Sequence, residues 1–301
     1  MSNIASGAYG FAIDGLDDPQ ALLGRAEPGW PRLTIVREAR EPTAGPAPGT
    51  VRVDGDRAEV WIGDGGLVEV DRAASTVAFA TRERVADGLV VHPYLGLPAS
   101  IASHWLGRQT LHGGAFLDGD GGAWALLGDK EGGKSSTLGW LLRRGLRVLS
   151  DDILVLDRGV LFAGPRCVDL RREPASVLGG EDVGRVGNRV RWRLDPGEAP
   201  PSAPLAGLVH LEWGDRVLVE PVGAEGRLAG LVRSSVIRPG DGDATPFLEL
   251  AALPTYRLVR PRDLDGLDAA GNRLLGVIGR APAAHRTPPS AATPRGAAGS
   301  S

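Results

Sequence analysis

Lysine is almost absent from this 301-residue chain: of 34 lysines and arginines, only two are lysine, which leaves 32 arginines. Cysteine occurs once, as Cys167. A lone cysteine excludes an internal disulfide and any zinc site built from several cysteines. No apolar run approaches the ~20 residues needed to span a bilayer, so no membrane partner is expected. Met1 to Gly15 lacks a basic start followed by an apolar core, so no signal peptide is expected and a cytoplasmic location fits. There is no excess of positive charge either: the formal net charge of −3 argues against nucleic acid as the main partner. What remains is an ordinary globular composition, with a length that suits one large domain or two small ones.

Both lysines fall inside one loop, Gly128-Asp129-Lys130-Glu131-Gly132-Gly133-Lys134-Ser135. The spacing is G-x-x-x-x-G-K-S, the pattern of a phosphate-binding loop. A chain that uses arginine everywhere else uses lysine here because a phosphate cradle takes a compact ammonium on a flexible stem rather than a wide planar fork. Such a loop must leave a buried strand and open a helix. Ala123 to Leu127 supplies the apolar run before it. Ser135 to Arg144 follows with Leu138, Leu141 and Leu142 at helical spacing, and Gly145 suits the C-cap. Val148 to Leu156 is a further apolar stretch, interrupted by Asp151-Asp152.

The chemistry follows from the residue types. The backbone N–H groups of Gly128, Asp129, Gly132 and Gly133 are expected to cradle phosphate at the helix N-terminus. Lys134 reaches the terminal phosphates, Ser135 ligates Mg²⁺ and Ser136 adds a phosphate contact, while Thr137 is read as a packing residue. Two adjacent carboxylates on a strand point to opposite sides. One of Asp151 and Asp152 can therefore hold Mg²⁺ while the other takes the proton of an attacking hydroxyl, with the assignment open. The nucleotide is expected to be Mg-ATP.

Residues 1 to about 95 read as a β-rich subdomain, with strands at 51–53, 58–62, 67–70 and 76–80 separated by turn signals, and a loop over Glu41 to Gly49. Tyr94 to Gln109 suits a helix. Residues 96–280 form the nucleotide-binding core, with Val160 to Ala163 as a strand, Leu205–Trp213 and Arg216–Val222 as a strand pair around Gly214-Asp215, and Leu267 to Ile278 as a last helix. The segment 281–301 is Pro, Ala, Ser, Thr and Gly-rich and is expected to be disordered. The fold class is α/β with an α+β-like mixed sheet.

His112-Gly113, the Gly128–Ser135 loop, Arg144-Gly145 and Ser150-Asp151-Asp152 together resemble the catalytic domain of the HPr kinase/phosphorylase family. Tyr9-Gly10 and Leu253-Pro254-Thr255-Tyr256-Arg257-Leu258 are similar to segments of its stand-alone members. The specific part of the resemblance spans residues 112–152. It implies a P-loop core of the HPr kinase/PEP carboxykinase type and transfer of the γ-phosphate of Mg-ATP to a serine hydroxyl of a peptide or small protein. It also implies that an aspartate of the 151/152 pair is the general base and that His112 lies beside it. His92 and His104 are read as structural. The family loop has a small residue at position 130 and glycine at 131, where this chain has Lys130 and Glu131. The family's later acidic-and-arginine signature is not recognisable; Arg166, Asp169 and Arg171 are weak substitutes, and that segment is read as a surface strand end. Two other functions stay open: a small-molecule kinase on the same phosphate machinery, and a nucleotide-binding partner protein with little catalysis. Assembly with copies of itself is also open.

Overall fold

The computed structural model describes residues 5–18, 22–41, 45–186, 189–237 and 244–279. The segment 281–301 and part of the Glu41–Gly49 loop lie outside the described residues.

The first sheet holds β1 (Ser6–Ala8), β2 (Phe11–Asp14), β3 (Gly24–Arg25), β4 (Arg32–Ala39), β5 (Val51–Asp54), β6 (Arg57–Trp61), β7 (Leu67–Asp71) and β8 (Thr76–Thr81). Their order is β3-β1-β2-β4-β8-β7-β6-β5. In the antiparallel run β5 to β8, alternation places Ala58, Val60, Val68, Val70, Val77 and Phe79 inside and their polar neighbours outside. That face packs with Val90, Val91, Leu95 and Ile101 and with Ile153, Val155 and Phe162 of the second sheet in one hydrophobic cluster.

After α1 (Asp87–Leu89) and a π-helical turn at Val90–Tyr94 comes α2 (Gly96–Trp105). The helix expected over 94–109 stops at Trp105. Gly107 takes φ +75 and its N–H donates to the His104 carbonyl, which ends the helix and frees Gln109 to start a strand.

The chain continues through β9 (Gln109–Leu117), β10 (Ala123–Leu127), α3 (Lys134–Arg143), β11 (Val148–Ser150), β12 (Ile153–Asp157) and β13 (Val160–Phe162). Next come β14 (Val168–Leu170), α4 (Arg172–Leu178), β15 (Glu181–Val186) and β16 (Arg189–Leu194), whose three strands form a small antiparallel sheet. The last elements are β17 (Ser202–Trp213), β18 (Leu218–Pro221), α5 (Ala224–Ser234), α6 (Thr245–Ala252), β19 (Thr255–Arg260) and α7 (Leu267–Ile278).

The second sheet is mixed, in the order β10-β9-β12-β13-β17-β19-β18, with β11 beside β9 and an extra pairing of β10 with β17. That extra pairing closes a ring of five strands: β9, β10, β17, β13 and β12. All five residues of β10 are buried. Trp124 and Leu126 face a core with Leu138, Trp140 and Leu274, while Ala123, Ala125 and Leu127 face the ring interior with Leu154, Leu161 and Leu208. A strand covered on both faces reads as a continuous apolar run, as this one does. The strand pair expected around Gly214-Asp215 does not form. β19 lies between β17 and β18, parallel to the first and antiparallel to the second.

β9 changes partners at its centre. His112 sits opposite Ile153 of β12, and Gly113 opposite Leu127 of β10. The crossing needs small residues: a Cβ on Gly113 would lie 2.7 Å from the Leu126 carbonyl oxygen, and one on Gly114 would lie 2.5 Å from Leu138 Cδ1. Gly114→Ala is expected to destabilise the protein by about 1–3 kcal/mol through overpacking against α3, read as a lower midpoint in chemical unfolding.

Candidate active site

β10, β17 and β19 run parallel, so Leu127, Trp213 and Arg260 end at the same side of the sheet. Ligands in sheets of this kind bind outside the carboxyl ends of the strands. A cavity of about 300 Å³ opens there, lined among others by Gly133, Lys134, Ser135, Asp152, Trp213 and Arg260.

The loop from Gly128 to Gly133 joins β10 to α3. Gly128 and Gly133 have φ +155 and +83, values that suit glycine, and Gly132 N–H donates to the Asp129 carbonyl at 2.9 Å to close a turn. Glu131 also takes a left-handed φ of +66, at the position where the resembled family has glycine. Its carboxylate pairs with Arg171 at 2.7 Å and with Arg262 at 3.5 Å. These arginines, rather than Lys130, offset the negative charge that Glu131 brings to the loop.

Lys134 opens α3 and is buried. Its ammonium donates to the carbonyls of Gly128 (2.8 Å) and Asp129 (2.9 Å), so the side chain folds over the loop. Burial lowers its pKa, against the opposing charges of Asp152, Asp151 and Asp129. The Ser135 hydroxyl donates to Asp151, with both carboxylate oxygens at 3.1 Å. Ser136 lines the cavity. Thr137 is fully buried and its hydroxyl donates to the Gly133 carbonyl at 2.9 Å, so it packs inside the first turn of the helix.

The two aspartates do not alternate along one strand, as the sequence suggests. The stretch 148–156 breaks into β11 and β12 because Asp152 sits at φ +75. They still face different surroundings. Asp151 is 4% exposed and accepts the backbone N–H groups of Asp152 (3.0 Å) and Asp169 (3.3 Å) as well as the Ser135 hydroxyl. Asp152 lines the cavity, with its Oδ1 3.4 Å from His112 Nδ1. Burial, and secondarily the charges of Lys134 and Arg189, lower the His112 pKa despite Asp152. The imidazole is therefore neutral at pH 7.

The segment 166–171 is not a surface strand end. Asp169 has a 3% exposed side chain and binds Arg193 through two oxygens (2.7 and 3.0 Å) and Arg191 at 3.3 Å, with His92 Nε2 at 3.4 Å. Burial opposes its charge, but His92 and Arg193 outweigh it and hold the carboxyl well below the usual range. Through its N–H, Asp169 anchors Asp151. His92 is buried in this network, and burial is outweighed by Cys167 and Asp169, so its pKa is raised well above 6.5. His104 lies on the exposed end of α2. Sequence reasoning named Asp169 only as a weak substitute in a segment read as surface, and it missed Arg260 and Trp213, which reach the site through long-range strand pairing. The visible signals were Asp169 between the apolar Val168 and Leu170, and Arg260 directly after the apolar pair Leu258-Val259.

Burial, and then the Asp152 charge, push the Asp151 carboxyl up to about 6. A raised carboxyl pKa stabilises the folded state most below the unfolded value of ~3.9, and that contribution is lost as pH rises through about 6. Asp152→Asn removes the like charge and lowers the Asp151 pKa, so the ligand-free variant is expected to gain stability at pH 7. A relief on the order of 1 kcal/mol raises the thermal midpoint by about 2 °C. The gain should shrink as pH falls through about 6, where Asp151 takes up its proton. A midpoint difference that stays constant with pH would contradict the coupling.

Among the described residues, no helix is long and apolar enough to cross a membrane. No protein-family model matches the chain, and no curated protein matches it. Among solved structures, the chain is similar to the Hpr(Ser) kinase/phosphatase from Coxiella burnetii, with 12% identity and a TM-score of 0.29, over 57% of this chain and 93% of that one.

Proposed function

We propose that this protein is a kinase built on a P-loop core of the HPr kinase/PEP carboxykinase type, which transfers the γ-phosphate of Mg-ATP to a serine hydroxyl of a peptide or small protein. One observation carries this: the hydroxyl of Ser135, in the G-K-S position, meets both carboxylate oxygens of Asp151 at 3.1 Å. Hard oxygen donors converging at a helix N-terminus fit Mg²⁺ beside phosphate. Ser135 and Asp151 would hold the ion, which when bound neutralises charge on the phosphate oxygens.

The remaining groups divide the work. Lys134 and the N–H groups of Gly132 and Gly133 hold the phosphate chain. Asp152 takes the proton of the acceptor hydroxyl as its oxygen bonds to the γ-phosphorus and the bond to the β-phosphate oxygen breaks, releasing ADP. Neutral His112 orients Asp152 through the 3.4 Å contact. Because Arg171 and Arg262 pair with Glu131, that carboxylate is compatible with a bound phosphate chain.

A second reading, a small-molecule acceptor, is favoured by one feature. Another cavity, of about 420 Å³, meets the first at His112 and Lys130 and is lined by His210, Arg233 and Ser234. A concave site that sets Lys130 and Arg233 beside Asp129 and Glu212 suits a small polar hydroxyl compound.

The test is incubation of the purified full chain with γ-labelled ATP and Mg²⁺ in two arms, serine-containing peptides and small hydroxy acids. Label in peptide supports the main proposal and label in a hydroxy acid the second. Calorimetric Mg-ATP binding with no transfer in either arm would leave a nucleotide-binding partner protein.

A further inference from the structure

Arg260 closes β19 at 2% exposure. The buried arginines around Asp169 share its carboxylate; Arg260 has no such partner among the described residues. Its Nη1 donates only to the carbonyls of Pro261 (3.4 Å) and Asp263 (3.3 Å), and its Nε is buried without a partner. Burial pushes the guanidinium down to about 10 despite Asp263 nearby. A buried cation without an anion is costly unless a ligand brings one.

Its surroundings fix where that ligand sits. The guanidinium lies 4.4 Å from the centroid of the Trp213 ring, which holds its plane. Its Nη2 presses on the loop itself: a Cβ on Gly133 would come within 2.2 Å of it. Arg262 stands 5.9 Å from the same ring but is tied to Glu131. Arg260 is thus an unpaired, buried cation stacked on Trp213 beside the residue that precedes Lys134, in the wall of the cavity.

We propose that Arg260, held on Trp213, is a second fixed cationic ligand for the phosphate chain of a nucleoside polyphosphate, clamping it from the β19 side while Lys134 holds it from α3. A planar fork in this place grips phosphate oxygens in pairs and adds direction to the point charge of Lys134. Donor affinity then resides in the phosphate chain more than in the base. Arg260 takes this role only if the cavity holds such a donor, as proposed above.

Calorimetry on the full chain with Mg-ATP and with magnesium tripolyphosphate separates the outcomes. Arg260→Gln is expected to weaken both ligands by the same factor, roughly 10- to 100-fold. Arg260→Lys keeps the charge without the fork and should weaken both less. Loss of Mg-ATP binding with tripolyphosphate unchanged would show that Arg260 reads the nucleoside and overturn the inference. Unchanged binding of both would overturn it too, with the kinase reading intact. If the wild-type chain binds neither ligand, the proposed function itself falls and Arg260's role with it. Should the glutamine variant lose cooperative unfolding, the lysine variant decides by the same criterion: equal weakening supports the clamp, and selective or absent weakening removes it.

Discussion

Asp152→Asn is expected to lower phosphate transfer by about 10²–10⁴-fold, the range for loss of a positioned general base. Mg-ATP binding should change little, because Asp151 and Ser135, not Asp152, form the oxygen pair at the helix N-terminus. Asparagine keeps the shape of the side chain and tolerates the left-handed backbone at φ +75. The same variant is expected to be more stable than wild type at pH 7, since it relieves the buried Asp151. Activity down and stability up in one substitution is the signature of a functional charge kept at a cost to the fold. A destabilised variant with proportionally lower activity would point instead to a structural role. Steady-state transfer, Mg-ATP calorimetry and thermal unfolding at pH 7 on the same preparation distinguish the two.

Lys134→Ala should cost about 10²–10³-fold in transfer, comparable to removing one preorganised donor from a site of developing charge. Unlike Asp152→Asn, it should also weaken Mg-ATP. The Lys134 ammonium donates to the carbonyls of Gly128 and Asp129, so its removal also loosens the G-K-S loop. Lys134→Arg is not expected to rescue. The side chain is buried beneath the loop, and a guanidinium cannot fold back onto the two carbonyls in the space an ammonium occupies. Measuring kcat, KM and the Mg-ATP dissociation constant for all three forms checks this. Wild-type affinity in Lys134→Ala would contradict the role of the loop.

The parts of the site that the sequence displays are those set by local spacing. Gly128 to Ser135 must lie between a strand and a helix, and β10 and α3 fall within one residue of the expected limits because a continuous apolar run and a helical leucine spacing mark them. Leu267–Ile278 was readable for the same reason. Asp151 and Asp152 drew notice as charges inside an apolar stretch, but the break between β11 and β12 did not, since only Asp152's left-handed backbone produces it. The strands β1 to β4 escaped because they are short or pair with distant partners, β4 lying parallel to β8. Trp213 and Arg260 escaped, and Asp169 was read as lying in a surface segment, for a related reason. Their meaning depends on which strands become neighbours: Arg260 reaches the loop only because β19 inserts beside β17 rather than leaving β17 and β18 as a hairpin.

That insertion has a consequence for how the chain matures. The G-K-S loop is complete by residue 135, but residues 208–213 of β17 have an open edge until residues 255–260 pair with them. A growing or truncated chain that ends before β19 carries the G-K-S loop with neither Arg260 nor the parallel neighbour that carries it. Such a chain leaves residues 208–213 of β17 without their β19 neighbour and the cavity half-built. On the proposed function, nucleotide binding is therefore a late event in the life of the polypeptide, tied to the arrival of its last strand.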